Sequence, residues 1–115
     1  MYIIDRHLAV IKPRQPFLDW LRTTPGYEVD LTLDQLRLDC TSLLIPEFEE
    51  AEDAIAYIDE IANQIFEAEL SGWVDDAETW PQNRTLKMFW EWFEVEIHST
   101  VVDMVEDDDA AANPH

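Results

Sequence analysis

Between Leu38 and Asn83 the sequence contains no lysine or arginine, and the whole chain has seven of them against 26 carboxylates, a net charge of −19. Binding a duplex requires cations that displace its condensed counterions, so direct nucleic-acid binding is not expected. Cysteine is equally scarce. Cys40 stands alone, which rules out an intramolecular disulfide. Gly26 and Gly72 are the two glycines, too few for a Gly-rich phosphate loop. Gly-x-Ser-x-Gly, His-Glu-x-x-His and Cys-x-x-Cys are absent as well, so no catalytic residue and no cofactor is indicated. Uncharged apolar stretches such as Thr41 to Pro46 are far too short to span a bilayer. With no charged-then-apolar leader in view, a cytoplasmic, membrane-free protein is expected.

What the chain does have is bulk. Hydrophobic residues make up 47% and aromatic residues 11%, with five Trp and five Phe, enough to fill a core and too many for a disordered acidic chain. A length of 115 residues suits one domain. The apolar pattern assigns residues 1–105 to a single α+β domain and 106–115 to a frayed acidic tail. The charge is uneven. Residues 1–37 are neutral, with five acids (Asp5, Asp19, Glu28, Asp30, Asp34) and five bases (Arg6, Lys12, Arg14, Arg22, Arg37). Residues 38–115 hold all the other acids against Arg84 and Lys87 alone, and so carry the whole −19. Such a surface steers the protein toward basic partners, although solvation or salt adaptation would produce the same composition.

Ile3 to Lys12 is apolar at even and odd positions alike, as in a central strand. Pro16 suits the first turn of a helix whose Phe17, Trp20 and Leu21 form one stripe, ended at Thr23-Thr24-Pro25-Gly26. Thr32 and Gln35 form a capping box that starts a helix near Leu33, with Leu31 able to staple onto Leu36. A short strand follows at Thr41 to Ile45. Glu49 to Gly72 is the longest helix, with Ala51, Ala54, Ile55, Ile58, Ile61, Ala62, Ile65, Phe66 and Leu70 on its apolar face. After a connector over 75–84, Thr85 to Phe93 reads as a helix with Leu86, Phe89, Trp90 and Phe93 on one stripe. The period then changes to two, with Val95, Ile97 and Val101 against Glu94, Glu96, His98 and Thr100. The expected architecture is one small three-stranded sheet with helices mostly on one face, in the order βααβααβ.

Few residues invite a functional reading. Glu94, Glu96 and His98 share one strand face, so two carboxylates and an imidazole could converge on a divalent cation or act as acid–base groups. A polar, solvated sheet face gives the same pattern. His7 reads as a satisfied core or edge histidine, and Cys40, beside Asp39, as an inert thiol. The run Glu47, Glu49, Glu50, Glu52 and Asp53 lacks the glycine of a calcium loop and fits a helix start compensated by the macrodipole. Trp80, Met88 and Trp92 fall off the core stripes. They are either packing over a small core or an apolar anchor beside the acids for a basic partner.

The stretches Ala9-Val10-Ile11-Lys12-Pro13-Arg14-Gln15-Pro16-Phe17-Leu18-Asp19-Trp20-Leu21 and Leu86-Lys87-Met88-Phe89-Trp90-Glu91-Trp92-Phe93-Glu94-Val95-Glu96-Ile97-His98-Ser99 resemble a family of small acidic proteobacterial proteins. The resemblance implies a bacterial source and brings no activity, cofactor or site residue. Three readings of the function follow from the residues themselves. The first is a non-enzymatic interaction or regulatory protein that docks a basic partner protein through Glu49, Glu52 and Asp53, with Trp80, Met88 and Trp92 as anchors. The second is a nucleic-acid mimic that occupies a DNA-binding protein. The third is a metal-dependent enzyme using Glu94, Glu96 and His98.

Overall fold

The computed structural model describes residues 1–26 and 30–105. The acidic tail expected at 106–115 lies outside the described residues. The elements run β1 (Tyr2–Ile3), β2 (His7–Pro13), α1 (Gln15–Thr23), α2 (Leu33–Leu36), β3 (Thr41–Ile45), α3 (Ala51–Ser71), α4 (Leu86–Trp92), β4 (Phe93–His98) and β5 (Val102–Asp103), with a 3₁₀ turn at Ala77–Thr79. The mixed α and β class is as the sequence predicts.

β2 is the central strand of a three-stranded sheet of order β3-β2-β4, antiparallel to both neighbours. Its apolar character on both faces is the reason. Ala9, Ile11 and Pro13 are buried toward the helices, while Leu8 and Val10 lie half-buried on the opposite face. The expected single sheet is incomplete as a description, because β1 and β5 form a second, two-stranded ribbon. The cause is an interruption shared by both strands of one ladder. Leu8 pairs with His98 and Ile3 with Val102, so four intervening residues on one strand face three on the other. That is the two-against-one mismatch of a bulge. The amide of Ile4 still donates to the carbonyl of Val101 at 2.8 Å and ties the two ribbons together.

The helices stack on one face of the sheet. Pro16 sits in the first turn of α1, and Phe17, Leu18 and Leu21 are buried. The capping box is present in both directions: Gln35 N–H donates to the Thr32 hydroxyl, and the Gln35 carbonyl accepts from Thr32 N–H. The helix it starts is a single turn, Leu33–Leu36. In α3 the buried residues Ala54, Ile58, Ala62, Ile65, Phe66 and Leu70 form the predicted stripe, and Ile55 falls at its exposed margin. Thr85 caps α4 by accepting from Met88 N–H. Helix α4 then passes into β4 with no intervening loop, which inserts Phe93 into the core. There its ring lies 5.3 Å from those of Phe17 and Phe66 and 5.4 Å from that of Phe89.

Candidate functional site

Strand alternation gives the sheet an open face, away from the helices. Leu8, Val10 and Lys12 of β2 stand there beside His98, Glu96 and Glu94 of β4 and Leu44 and Ser42 of β3. The shared face expected for Glu94, Glu96 and His98 is therefore present. On that face the two carboxylates are paired with cations. Lys12 donates to Glu96 at 2.7 Å, and the Arg37 guanidinium binds Glu94 and donates to the Pro13 carbonyl. These hydrogen bonds from cations hold both carboxyls below the ordinary glutamate value. His98 lies 3.5 Å from Glu96 and is exposed. Among the described residues no three His, Cys, Asp or Glu side chains are gathered to hold a metal ion. Each carboxylate of the expected ligand set faces a cation of the chain's own.

The aromatic residues close the seam between α1, α3 and α4. Of the two readings open for Trp92, Met88 and Trp80, the structure shows packing: all three are half-buried against the core. Trp92 reaches across its helix, with ring centroids 5.3 Å from Phe66, 6.1 Å from Phe17 and 6.4 Å from Trp20. The Trp80 indole donates to the Val74 carbonyl at 2.8 Å, and the Trp90 indole donates to Asp59 at 2.8 Å. In a core this small, rings beside the main stripe are drawn in to cover its rim.

Glu49, Glu52 and Asp53 are exposed at the start of α3. Among the described residues no Lys or Arg forms an ion pair with them or with Glu47 and Glu50. The lysines and arginines in ion pairs are instead on Glu94, Glu96, Glu67 and Glu91. Beside the acids, Phe48, Ala54 and Ile97 line a hollow of about 240 Å³, with Glu49, Glu50 and the half-buried His7 among its walls.

A second crevice, of about 280 Å³, opens where the C-terminal end of α3 meets β2 and the turn into β3. Ile11, Pro13, Phe17 and Leu36 are its buried apolar residues, and Asp39, Cys40, Glu69 and Trp73 also line it. Burial pushes the Glu69 carboxyl above its ordinary value, and a hydrogen bond from Thr41 offsets part of that rise. Burial also raises the Cys40 thiol, which donates to the Arg37 carbonyl at 3.3 Å. Glu69 escaped the sequence reading, although a signal exists. It lies four residues after Ile65 and seven after Ala62, so a carboxylate occupies the apolar stripe of α3.

Compared with known proteins, the chain matches no family model, no curated protein and no solved structure.

Proposed function

We propose that the protein is a non-enzymatic binding protein that docks a basic protein surface onto the start of α3, through Glu49, Glu52 and Asp53. One observation carries the reading. The run of carboxylates is exposed and, among the described residues, no Lys or Arg pairs with it; the ion pairs of Lys12, Arg37, Arg84 and Lys87 are with other carboxylates. Unpaired like charges close together repel, and an oppositely charged partner relieves that repulsion while speeding encounter. The hollow formed by Phe48, Ala54 and Ile97 supplies an apolar seat beside them, of the kind an interface core uses. Trp80, Met88 and Trp92, packed into the helix seam, are not needed for this contact.

The test is affinity capture from the lysate of the protein's own cells, with the wild type and the triple variant Glu49→Gln, Glu52→Gln, Asp53→Asn side by side. A basic protein retained by the wild type, released by moderate salt and lost with the triple variant is the expected result. Equal retention by both forms would remove the proposal.

A further inference from the structure

The crevice at the C-terminal end of α3 belongs neither to the ion pairs of the open sheet face nor to the acidic turns that begin the helix. Asp39 and Glu69 place two carboxylates in it, and among the described residues neither forms an ion pair. They stand near the end of a 21-residue helix, where the macrodipole is negative and favours cations. Glu69 is half-buried there, and a hydrogen bond from Thr41 is the compensation it has from the chain. Glu67, Glu94 and Glu96, which are more open to solvent, each have an arginine or a lysine, whereas among the described residues Glu69 has neither. The cations nearest the crevice are engaged elsewhere: Lys12 points to the open face and holds Glu96, while Arg37 holds Glu94 and the Pro13 carbonyl. Cys40 keeps its proton on a backbone carbonyl and adds no charge of either sign.

Apart from the carboxylates, Cys40, Thr41 and Gly72, the crevice is lined by apolar side chains. Ile11, Phe17 and Leu36 are buried, and the Trp73 side chain, 40% exposed, gives the opening an indole. An aromatic ring next to a cation adds attraction of its own. We propose that this crevice binds a small organic ammonium ion, with Glu69 and Asp39 taking the ammonium group and the apolar residues with Trp73 taking the hydrocarbon. The volume of about 280 Å³ sits just under the usual range for drug-sized ligands and points to a compact monoamine. Unpaired charge and a perturbed carboxyl together in a cleft are features that binding sites share.

Phenethylamine titrated into the full chain at neutral pH is the probe, with 2-phenylethanol as its uncharged match. The amine should give a saturable change in the Trp73 indole signal by NMR, and the alcohol none. Affinity for the amine should fall by about ten-fold or more in Glu69→Gln, which is about 1.4 kcal/mol. Asp39→Asn should weaken it in the same direction. A strongly acidic chain attracts any cation weakly, so Glu52→Gln/Asp53→Asn serves as the control, and its affinity should stay within about two-fold of wild type. No saturable change, an equal response to the alcohol, undiminished binding in Glu69→Gln, or an equal loss in the control variant would each overturn the proposal. The control residues belong to the partner-docking face, so failure of one idea is separable from failure of the other.

Discussion

Glu94 and Glu69 are displaced in opposite directions, and the sign of each fixes its response to pH. The hydrogen bond from Arg37 lowers the Glu94 carboxyl, so this group adds stability above the unfolded-state value and loses it as pH falls through the folded one. Glu69 is raised by burial, so the fold prefers it protonated. Its contribution is present below the unfolded value and is lost as pH rises through the folded one. Glu69→Gln fixes the neutral form and retains an acceptor for Thr41. The variant is therefore expected to unfold at higher urea concentration than wild type at pH 7. That advantage should vanish in acid strong enough to protonate Glu69 in both states, and a lower urea midpoint for the variant at pH 7 would contradict the assignment. Phe93 offers a contrast, since its contribution is purely packing. It is fully buried among Phe17, Phe66 and Phe89, and Phe93→Ala should cost about 3–5 kcal/mol by denaturant titration.

At the scale of the element, α4 depends on its cap. It is a short helix of seven residues, and its first turn is closed by Thr85 accepting from Met88 N–H. Thr85→Ala should cost about 1 kcal/mol, read as a lower urea midpoint with an unchanged slope. Thr85→Ser should restore most of it. Caps of this kind are local chemistry, which is why the start of α2 was legible in the sequence. The stripes of α1 and α3 and the central place of β2 were legible for a similar reason, since periodicity records which face is buried. The division into two sheets was not. It depends on a one-residue mismatch between strands about ninety residues apart, which no local window contains. The same holds for the site residues. The common face of Glu94, Glu96 and His98 follows from strand alternation, but their partners Lys12 and Arg37 come from other elements. Helical spacing left Trp92 open between packing and exposure because it does not reveal that α1 lies across the ring.

For the molecule as a whole, 26 carboxylates against seven Lys and Arg leave a field of one sign. Self-repulsion of that size destabilises the compact state, whereas exposed ion pairs such as Lys87–Glu91 contribute about 0–1 kcal/mol each. Raising NaCl from about 0.01 M to about 1 M shortens the screening distance from roughly 30 Å to roughly 3 Å. The repulsion therefore loses more than the pairs do, and the thermal midpoint should climb with salt. A midpoint that falls would mean the ion pairs outweigh the field. The position of β2 carries a further consequence, for the order in which the chain can fold. One of its two ladders is with β4, where Pro13 meets Phe93 and Leu8 meets His98, 80 to 90 residues further along. Closing so long a loop costs conformational entropy before the contacts repay it, and domains built on such distant pairings fold slowly for their size. During synthesis β2 and β3 can meet early, but β2 keeps a bare edge until β4 is made. The nascent chain is thus open to wrong strand pairing throughout the synthesis of the residues between β2 and β4, and the high like charge of the residues that follow β3 is well suited to keep neighbouring chains apart during that interval.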